Sequence, residues 1–69
     1  MNRVPVSSSN ISSIGYDESS MMLEVEFNDG SVYQYYDVPK SVWDAFVSAS
    51  SKGQFLHANI KGAYRYARV

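Results

Sequence analysis

The sequence predicts an α+β fold, in which a three-stranded antiparallel β-meander is followed by two helices packed on one face and a short extended C-terminal tail. Residues 23–27 alternate apolar and acidic side chains, the period of a strand with one buried face. Asn28-Asp29-Gly30 then supplies turn residues. After Val38-Pro39 the apolar residues recur at helical spacing. Strands followed by helices are typical of a sheet covered on one face.

The first residues lead into the meander. We expect Met1 to Val6 to be loose or to lie at a sheet edge, because Pro5 has no N–H to donate to a neighbouring strand. A first strand is predicted from about Asn10 to Asp17, with Gly15 as a candidate bulge. The polar segment that begins at Asp17 and ends at Ser20 is the predicted turn into the hairpin.

The hairpin loop can close in two ways, which differ in the face on which the next strand's tyrosines lie. A two-residue loop would put Tyr33 and Tyr35 on the polar face. A three-residue loop ending in a bulged Gly30 instead places them beside Val25 and Leu23, respectively. We prefer this loop, because only its register keeps the apolar residues on one face. The predicted core face of the hairpin is Leu23, Val25, Phe27, Tyr33 and Tyr35.

Two helices are expected after the hairpin. Pro39 is well placed at the first position of a helix that runs to about Ala49. Ser51, followed three residues later by Gln54, fits the capping box and predicts a short second helix from about Lys52. The inner face of the first helix is predicted to be Val42, Trp43, Phe46, Val47 and Ser50, and that of the second to be Phe55, Leu56, Asn59 and Ile60.

The second helix is expected to end at Gly62. Residues 63–69 alternate again, which predicts an extended tail that can add to a sheet edge. Asn59 is expected at the edge of the core, where its amide must be hydrogen-bonded, and loop backbone is the predicted partner.

Length and composition predict one domain, residues 1–69, near the lower size limit for folding unaided. The chain has no cysteine, so disulfides and thiolate metal ligands are excluded. It shows neither a signal peptide nor an apolar run of membrane-spanning length. We therefore expect a cytoplasmic monomer without membrane association, metal or cofactor.

Acidic and basic residues are segregated along the chain. Six of the seven acids precede Lys40, and five of the six bases lie at or after it. This distribution suggests an acidic side and a basic side, with the basic side oriented toward phosphates or an acidic partner. The alternative is that the two halves attract each other across the fold.

The chain resembles the KTSC domain family over roughly Val6 to Val69. This module is named for its occurrence at the C-terminus of some lysyl-tRNA synthetases and is also found as single-domain bacterial and phage proteins. The resemblance implies a nucleic-acid role and carries over no active site. The matching features are Ile14-Gly15-Tyr16-Asp17, Leu23-Glu24-Val25-Glu26-Phe27, Gly30, Val32-Tyr33-Gln34-Tyr35, Val38-Pro39, Ser51-Lys52-Gly53, Phe55, Asn59-Ile60 and Tyr64-Arg65-Tyr66.

The C-terminal segment interleaves bases with aromatic rings, a pattern typical of proteins that bind single strands, since cations neutralise phosphates and rings stack on bases. The leading hypothesis is a non-catalytic accessory module that binds RNA or single-stranded nucleic acid. The alternative for Tyr64 and Tyr66 is that they close the core. The candidate phosphate contacts are Lys52, Lys61, Arg65 and Arg68, and the candidate stacking residues are Tyr64, Tyr66 and His57.

Three other hypotheses, a protein-interaction adaptor, an anion site and an enzyme, are each supported by fewer residues of the sequence. A protein-interaction adaptor is the second hypothesis, with a partner bound by a sheet edge or by the acidic strand face, Glu24, Glu26, Gln34 and Tyr36. Ser51-Lys52-Gly53 fits an anion site or, more simply, a plain helix cap with Gly53 allowing close packing of the two helices. His57 is the only histidine, and no nucleophile or oxyanion-hole motif accompanies it. We therefore expect no enzymatic activity.

Overall fold

The sheet has five antiparallel strands, arranged in the order of the chain. The computed structural model describes all residues from 1 to 69. The α+β class is confirmed, whereas the expected number of three strands is wrong, because a short strand joins each edge of the meander. The elements are β1 (Arg3–Pro5), β2 (Ile11–Asp17), β3 (Met22–Phe27), β4 (Val32–Tyr35), α1 (Lys40–Ser48), α2 (Lys52–Phe55), a π-helical turn (Leu56–Ile60) and β5 (Tyr66–Arg68).

The hairpin of β3 and β4 has the predicted register. Leu23 lies opposite Tyr35, and Val25 lies opposite Tyr33. The Phe27 N–H donates to the Ser31 carbonyl at 2.8 Å, which closes a loop in which Gly30 has a φ of 90°. Leu23, Val25 and Tyr35 are buried, while Phe27 and Tyr33 pack against the core from its margin. The predicted core face is therefore confirmed.

The N-terminal lead-in is an edge strand and is not loose. β1 pairs with β2, with Arg3 opposite Gly15 and Pro5 opposite Ser13. Gly15 is not a bulge, since the irregularity in β2 falls between Ile11 and Ser13. A Cβ at Gly15 would lie 2.9 Å from the backbone oxygen of Asn2. Glycine is thus needed here for the close approach of β1.

Helix α1 covers the apolar face of the sheet. Phe46 is fully buried, and the ring of Trp43 stacks on Tyr16 with centroids 5.5 Å apart. The Tyr16 hydroxyl donates to the Val38 carbonyl at 2.6 Å and so ties β2 to the start of the helical region. The predicted inner positions of Val47 and Ser50 are wrong, because Val47 is 44% exposed and Ser50 is exposed beyond the end of α1. Val47 points toward solvent beside the buried Phe46.

Helix α2 begins as predicted, with the Ser51 hydroxyl accepting a hydrogen bond from the Gln54 N–H at 3.3 Å. The predicted inner position of Asn59 is wrong, because Asn59 is exposed and its amide donates to the Phe55 carbonyl. The wider π-helical turn aligns Leu56 with Ile60 on the buried side and rotates Asn59 away from the core.

Two of the sheet's turns are held by aspartate carboxylates. Asp17 Oδ1 accepts hydrogen bonds from the Ser19 N–H and hydroxyl at 3.1 and 2.8 Å. Asp29 Oδ1 accepts the equivalent bonds from Ser31 at 2.9 and 2.7 Å. The serine hydrogen bonds favour the charged carboxylate, so the pKa of each aspartate lies below its ordinary value. For Asp29 the positive charge of Arg68 lowers the pKa further.

These two carboxylates are expected to make the protein less stable in acid. A carboxyl whose pKa is lower in the folded state stabilises that state above the unfolded pKa, and the contribution is lost as pH falls through the folded value. The melting temperature should therefore drop as pH falls below about 4. Ser31→Ala removes one donor and should raise the pKa of Asp29, measured by NMR titration, without changing that of Asp17. Equal pKa values in the variant and the parent would contradict this account.

Candidate nucleic-acid interface

Aromatic rings gather where β4 pairs with β5. Tyr66 lies opposite Tyr35, and its ring centroid is 5.8 Å from those of both Tyr33 and Tyr35. Phe27 meets the Tyr33 ring edge-on, with centroids 5.5 Å apart. These rings border a cleft of about 550 Å³, which we call the aromatic cleft. It is lined by Phe27, Ser31, Tyr33, Tyr35, Lys61, Gly62 and Tyr66.

Two unpaired cations accompany the aromatic cleft. Lys61 lines it directly, at the turn where Gly62 adopts a φ of 81°. Arg68 lies opposite Tyr33 in the ladder, so both side chains project from the same face of the sheet. Both cations are exposed, and neither is among the four ion-pair contacts of the structure. The geometry thus places free positive charge beside accessible tyrosine rings.

Tyr35 is the most buried ring of the aromatic cleft. Only 2% of the residue is exposed, and burial raises the pKa of its hydroxyl. Its hydroxyl takes no part in any of the side-chain hydrogen bonds, although Tyr16 and Tyr36 both use theirs. No fully buried side-chain polar atom lacks a partner, so the Tyr35 hydroxyl must reach the open space of the cleft.

Arg65 lies apart from the aromatic cleft. Successive residues of an extended segment point to opposite faces, so Arg65 projects away from the side that Tyr66 and Arg68 share. Its guanidinium contacts the Asp37 carboxylate at 2.8 Å and lies 5.9 Å from the centre of the Tyr36 ring. A shallow groove beside it is lined by Tyr36, Gly62, Ala63, Tyr64, Arg65 and Tyr66.

Lys52 and His57 lie in a third groove. Both line a polar groove bordered by the serine-rich segment 7–10 and by residues 50–54. The Lys52 ammonium donates to the Ala49 carbonyl at the end of α1, so it acts within the helical region. Gly53 is close to the Asn10 side chain, where an added Cβ would lie 2.7 Å from Oδ1. The predicted binding residues other than Arg68 are therefore divided among three grooves, and Tyr66 lines two of these grooves.

The acidic strand face is partly neutralised from within the protein, because one arginine lies beside its two carboxylates. The Arg3 guanidinium contacts Glu24 at 2.7 Å and Glu26 at 3.7 Å. Glu24 also accepts a hydrogen bond from the Gln34 amide at 2.9 Å, and Glu26 accepts one from the Ser13 hydroxyl at 3.0 Å. Both carboxylates that the adaptor hypothesis needs thus have partners within the protein, although one of their two negative charges is not compensated. Because β1 and β5 are the outer strands, the sheet edges remain open to a partner.

A family model described as the KTSC domain matches residues 7–64. The chain belongs to the KTSC domain family. The crystal structure of a KTSC domain protein from Yersinia pestis superposes with a TM-score of 0.94 at 46% sequence identity, covering 99% of this chain and 96% of that one. The fold described above is therefore shared with a solved member of the family.

Two kinds of curated proteins are similar to this KTSC domain. An uncharacterized protein of Stutzerimonas stutzeri is 41% identical over 70 residues, covering 100% of this chain and 99% of the relative. The lysine–tRNA ligase of Trichormus variabilis is 41% identical over 54 residues, covering 78% of this chain but only 10% of the ligase. The similarity to the ligase thus concerns one short segment of a much longer enzyme.

The structure of this KTSC domain adds site residues that the sequence did not indicate. Phe27, Tyr33 and Tyr35 were predicted only as core, and they also form the walls of the aromatic cleft. One feature of the sequence could have indicated them: the three residues share one face of the hairpin, and the basic tail was predicted to be able to add to a sheet edge. No three His, Asp or Glu side chains come together as metal ligands, and the longest helix, nine residues, could not cross a bilayer.

Proposed function

We propose that this KTSC domain is a non-catalytic module that binds RNA or single-stranded nucleic acid through its C-terminal surface. The observation that carries the proposal is the aromatic cleft with Lys61 and Arg68 unpaired beside it. Single strands are bound by rings that stack on bases and by cations that neutralise the backbone. Tyr66, 60% exposed, offers such a ring at the junction of two grooves.

The proposed surface is narrower than the one expected from the sequence. It comprises the aromatic cleft and the neighbouring groove of Tyr64 and Arg65, which share Tyr66. The pair between Arg65 and Asp37 is solvent-exposed and therefore weak, so a phosphate can compete for the guanidinium. We leave out Lys52 and His57, because they line the separate polar groove.

The similarity to lysine–tRNA ligases supports RNA as the ligand. The name of those enzymes states that they act on tRNA, and 78% of this chain is similar to a segment of one of them. The module occurs both within such an enzyme and as a protein of about this length, which supports a unit that binds its ligand independently of the rest of the enzyme.

Binding of single-stranded RNA is expected to weaken steeply with salt. Each neutralised phosphate releases counterions and adds about −0.7 to the slope of log K against log salt for single strands. Contacts from Lys61, Arg65 and Arg68 would give a slope of about −2. Titration of fluorescently labelled RNA should show binding at low ionic strength, and Lys61→Ala and Arg65→Ala should each reduce the slope by about 0.7.

Lys40→Ala is the matched control, since it removes the same charge from a residue already paired with Asp44 on α1. It should leave the slope unchanged. If Lys40→Ala and Lys61→Ala reduced the salt slope equally, RNA binding would depend on the net charge of the protein and not on the proposed surface. If RNA at high micromolar concentration perturbs no amide resonance of residues 51–69, the adaptor function at an open sheet edge replaces the present proposal.

A further inference from the structure

We infer that the aromatic cleft is a pocket for a single nucleotide, in which one unstacked base lies against Tyr33 and Tyr66 and hydrogen-bonds with the Tyr35 hydroxyl, while Lys61 contacts the phosphate. This inference rests on the proposed function and specifies the unit of the strand that is recognised. Three properties of the cleft support it: its size and lining, an unused polar group, and its charge.

The size and lining suit one base. The cleft encloses about 550 Å³, within the range of roughly 300 to 1,000 Å³ usual for small-ligand sites. Four of its seven lining residues are aromatic. The Tyr33 and Tyr66 rings are tilted by 37° and do not stack face to face, and Tyr66 stays 60% exposed. Ring area thus remains free to stack on a planar ligand.

The Tyr35 hydroxyl is the unused polar group. The ring of Tyr35 is buried, but its hydroxyl opens into the cleft and bonds no group of the protein, so it is free to bond a ligand there. A tyrosine hydroxyl is protonated at neutral pH and can donate, and burial shifts the pKa of Tyr35 further in that direction. A base presents donors and acceptors along its edge and can satisfy this hydroxyl from inside the cleft.

The charge around the cleft distinguishes a nucleotide from an uncharged aromatic ligand. Lys61 is free at the rim, and Arg68 projects from the same face as Tyr33. Asp29 on the hairpin loop is held in its charged form by the N–H and hydroxyl of Ser31 and interacts with the charge of Arg68, but it forms no ion pair with Arg68 or Lys61. Positive charge next to an aromatic wall matches a base that carries a phosphate.

The test is an NMR titration of the intact chain with the four nucleoside 5′-monophosphates, with uridine, and with ribose 5-phosphate. At least one monophosphate should shift the amide resonances of Tyr33, Tyr35, Lys61 and Tyr66. Ribose 5-phosphate, which lacks the base, and uridine, which lacks the phosphate, should bind more weakly. Binding by ribose 5-phosphate as tight as by the monophosphates would overturn the base pocket.

Tyr35→Phe is the sharpest variant, because it removes only a hydroxyl that has no partner in the protein. It should weaken binding of the monophosphate about threefold to tenfold, as expected for one hydrogen bond, and leave the melting temperature unchanged. Tyr16→Phe is the matched control, since the Tyr16 hydroxyl donates to the Val38 carbonyl and Tyr16 lines neither the aromatic cleft nor the neighbouring groove. This control should leave nucleotide binding unchanged.

The outcomes separate this inference from the proposed function. If RNA binds with the expected salt slope while monophosphates do not compete and Tyr35→Phe has no effect, the nucleotide pocket is wrong and the RNA-binding function stands. If monophosphates occupy the cleft but RNA does not bind, the proposed function is wrong and the pocket stands. Absence of both kinds of binding overturns both.

Discussion

Replacement of Phe46 by alanine is expected to unfold a large fraction of the protein at 25 °C. Phe46 is the largest fully buried side chain and stacks on Phe55 with ring centroids 5.5 Å apart. Truncation of a buried phenylalanine to alanine costs about 3 to 5 kcal/mol. A domain of this length has a total stability of about 3 to 10 kcal/mol. Urea denaturation followed by circular dichroism should show most or all of the stability lost.

Val47→Ala is the control for this prediction, because Val47 is the next residue of α1 but is 44% exposed. It preserves the helix and should change the free energy of unfolding by less than about 0.5 kcal/mol. A Phe46→Ala variant that loses less than about 1 kcal/mol would mean that α1 does not close the core in the way described.

The hairpin was predictable because its determinants are local. The alternation around Val25 specifies which side is buried, and only one loop length puts Tyr33 and Tyr35 on that side. The helix starts at Pro39 and Ser51 are equally local features, and both were found within one residue. The hairpin strands and α1 contain enough residues to display their own period, whereas α2, with four residues, was recognised from its capping box.

The edge strands were recognised only in part. The alternation of residues 63–69 predicted an extended tail able to join a sheet edge, which β5 confirms, whereas for β1 the sequence left a loose segment and an edge-lying one both open. Their pairing depends on strands distant in sequence, as when Tyr66 meets Tyr35. The π-helical turn is a similar case, because the altered register that exposes Asn59 follows from packing of Leu56 and Ile60. Tertiary contacts decide these features.

The candidate site was only partly predictable for the same reason. Side chains alternate between the two faces of an extended segment, so the sequence alone could have placed Arg65 on the opposite face from Tyr66 and Arg68. The walls of the aromatic cleft were not, because Tyr35 becomes a cleft residue only once β5 lies beside β4. The role of Arg3 was also hidden, since its partners Glu24 and Glu26 are reached across β2.

A single methyl group at Gly15 is expected to displace β1 from the sheet. The Cβ of Gly15→Ala would lie 2.9 Å from the backbone oxygen of Asn2 and 3.0 Å from Cγ of Arg3. A backbone oxygen cannot turn aside as a side chain can, so the strand must move. Its movement also strains the contact between Arg3 and Glu24. Overpacking of this kind costs about 1 to 3 kcal/mol.

Hydrogen exchange measured by NMR can localise this loss. In Gly15→Ala the amide of Val6, which donates to the Ser12 carbonyl at 3.1 Å, should exchange faster, while amides between β3 and β4 keep most of their protection. Gly53→Ala is the matched control: the three atoms nearest to its Cβ all belong to the exposed Asn10 side chain, which can rotate away at the loss of one exposed hydrogen bond from Ser8. Since alanine favours a helix over glycine by about 1 kcal/mol, this variant should be as stable as the parent or more stable.

A Gly15→Ala variant as stable as the parent would contradict this prediction. The close approach of β1 to β2 would then not constrain the residue at position 15, and the edge strand would be attached more loosely than its contacts indicate.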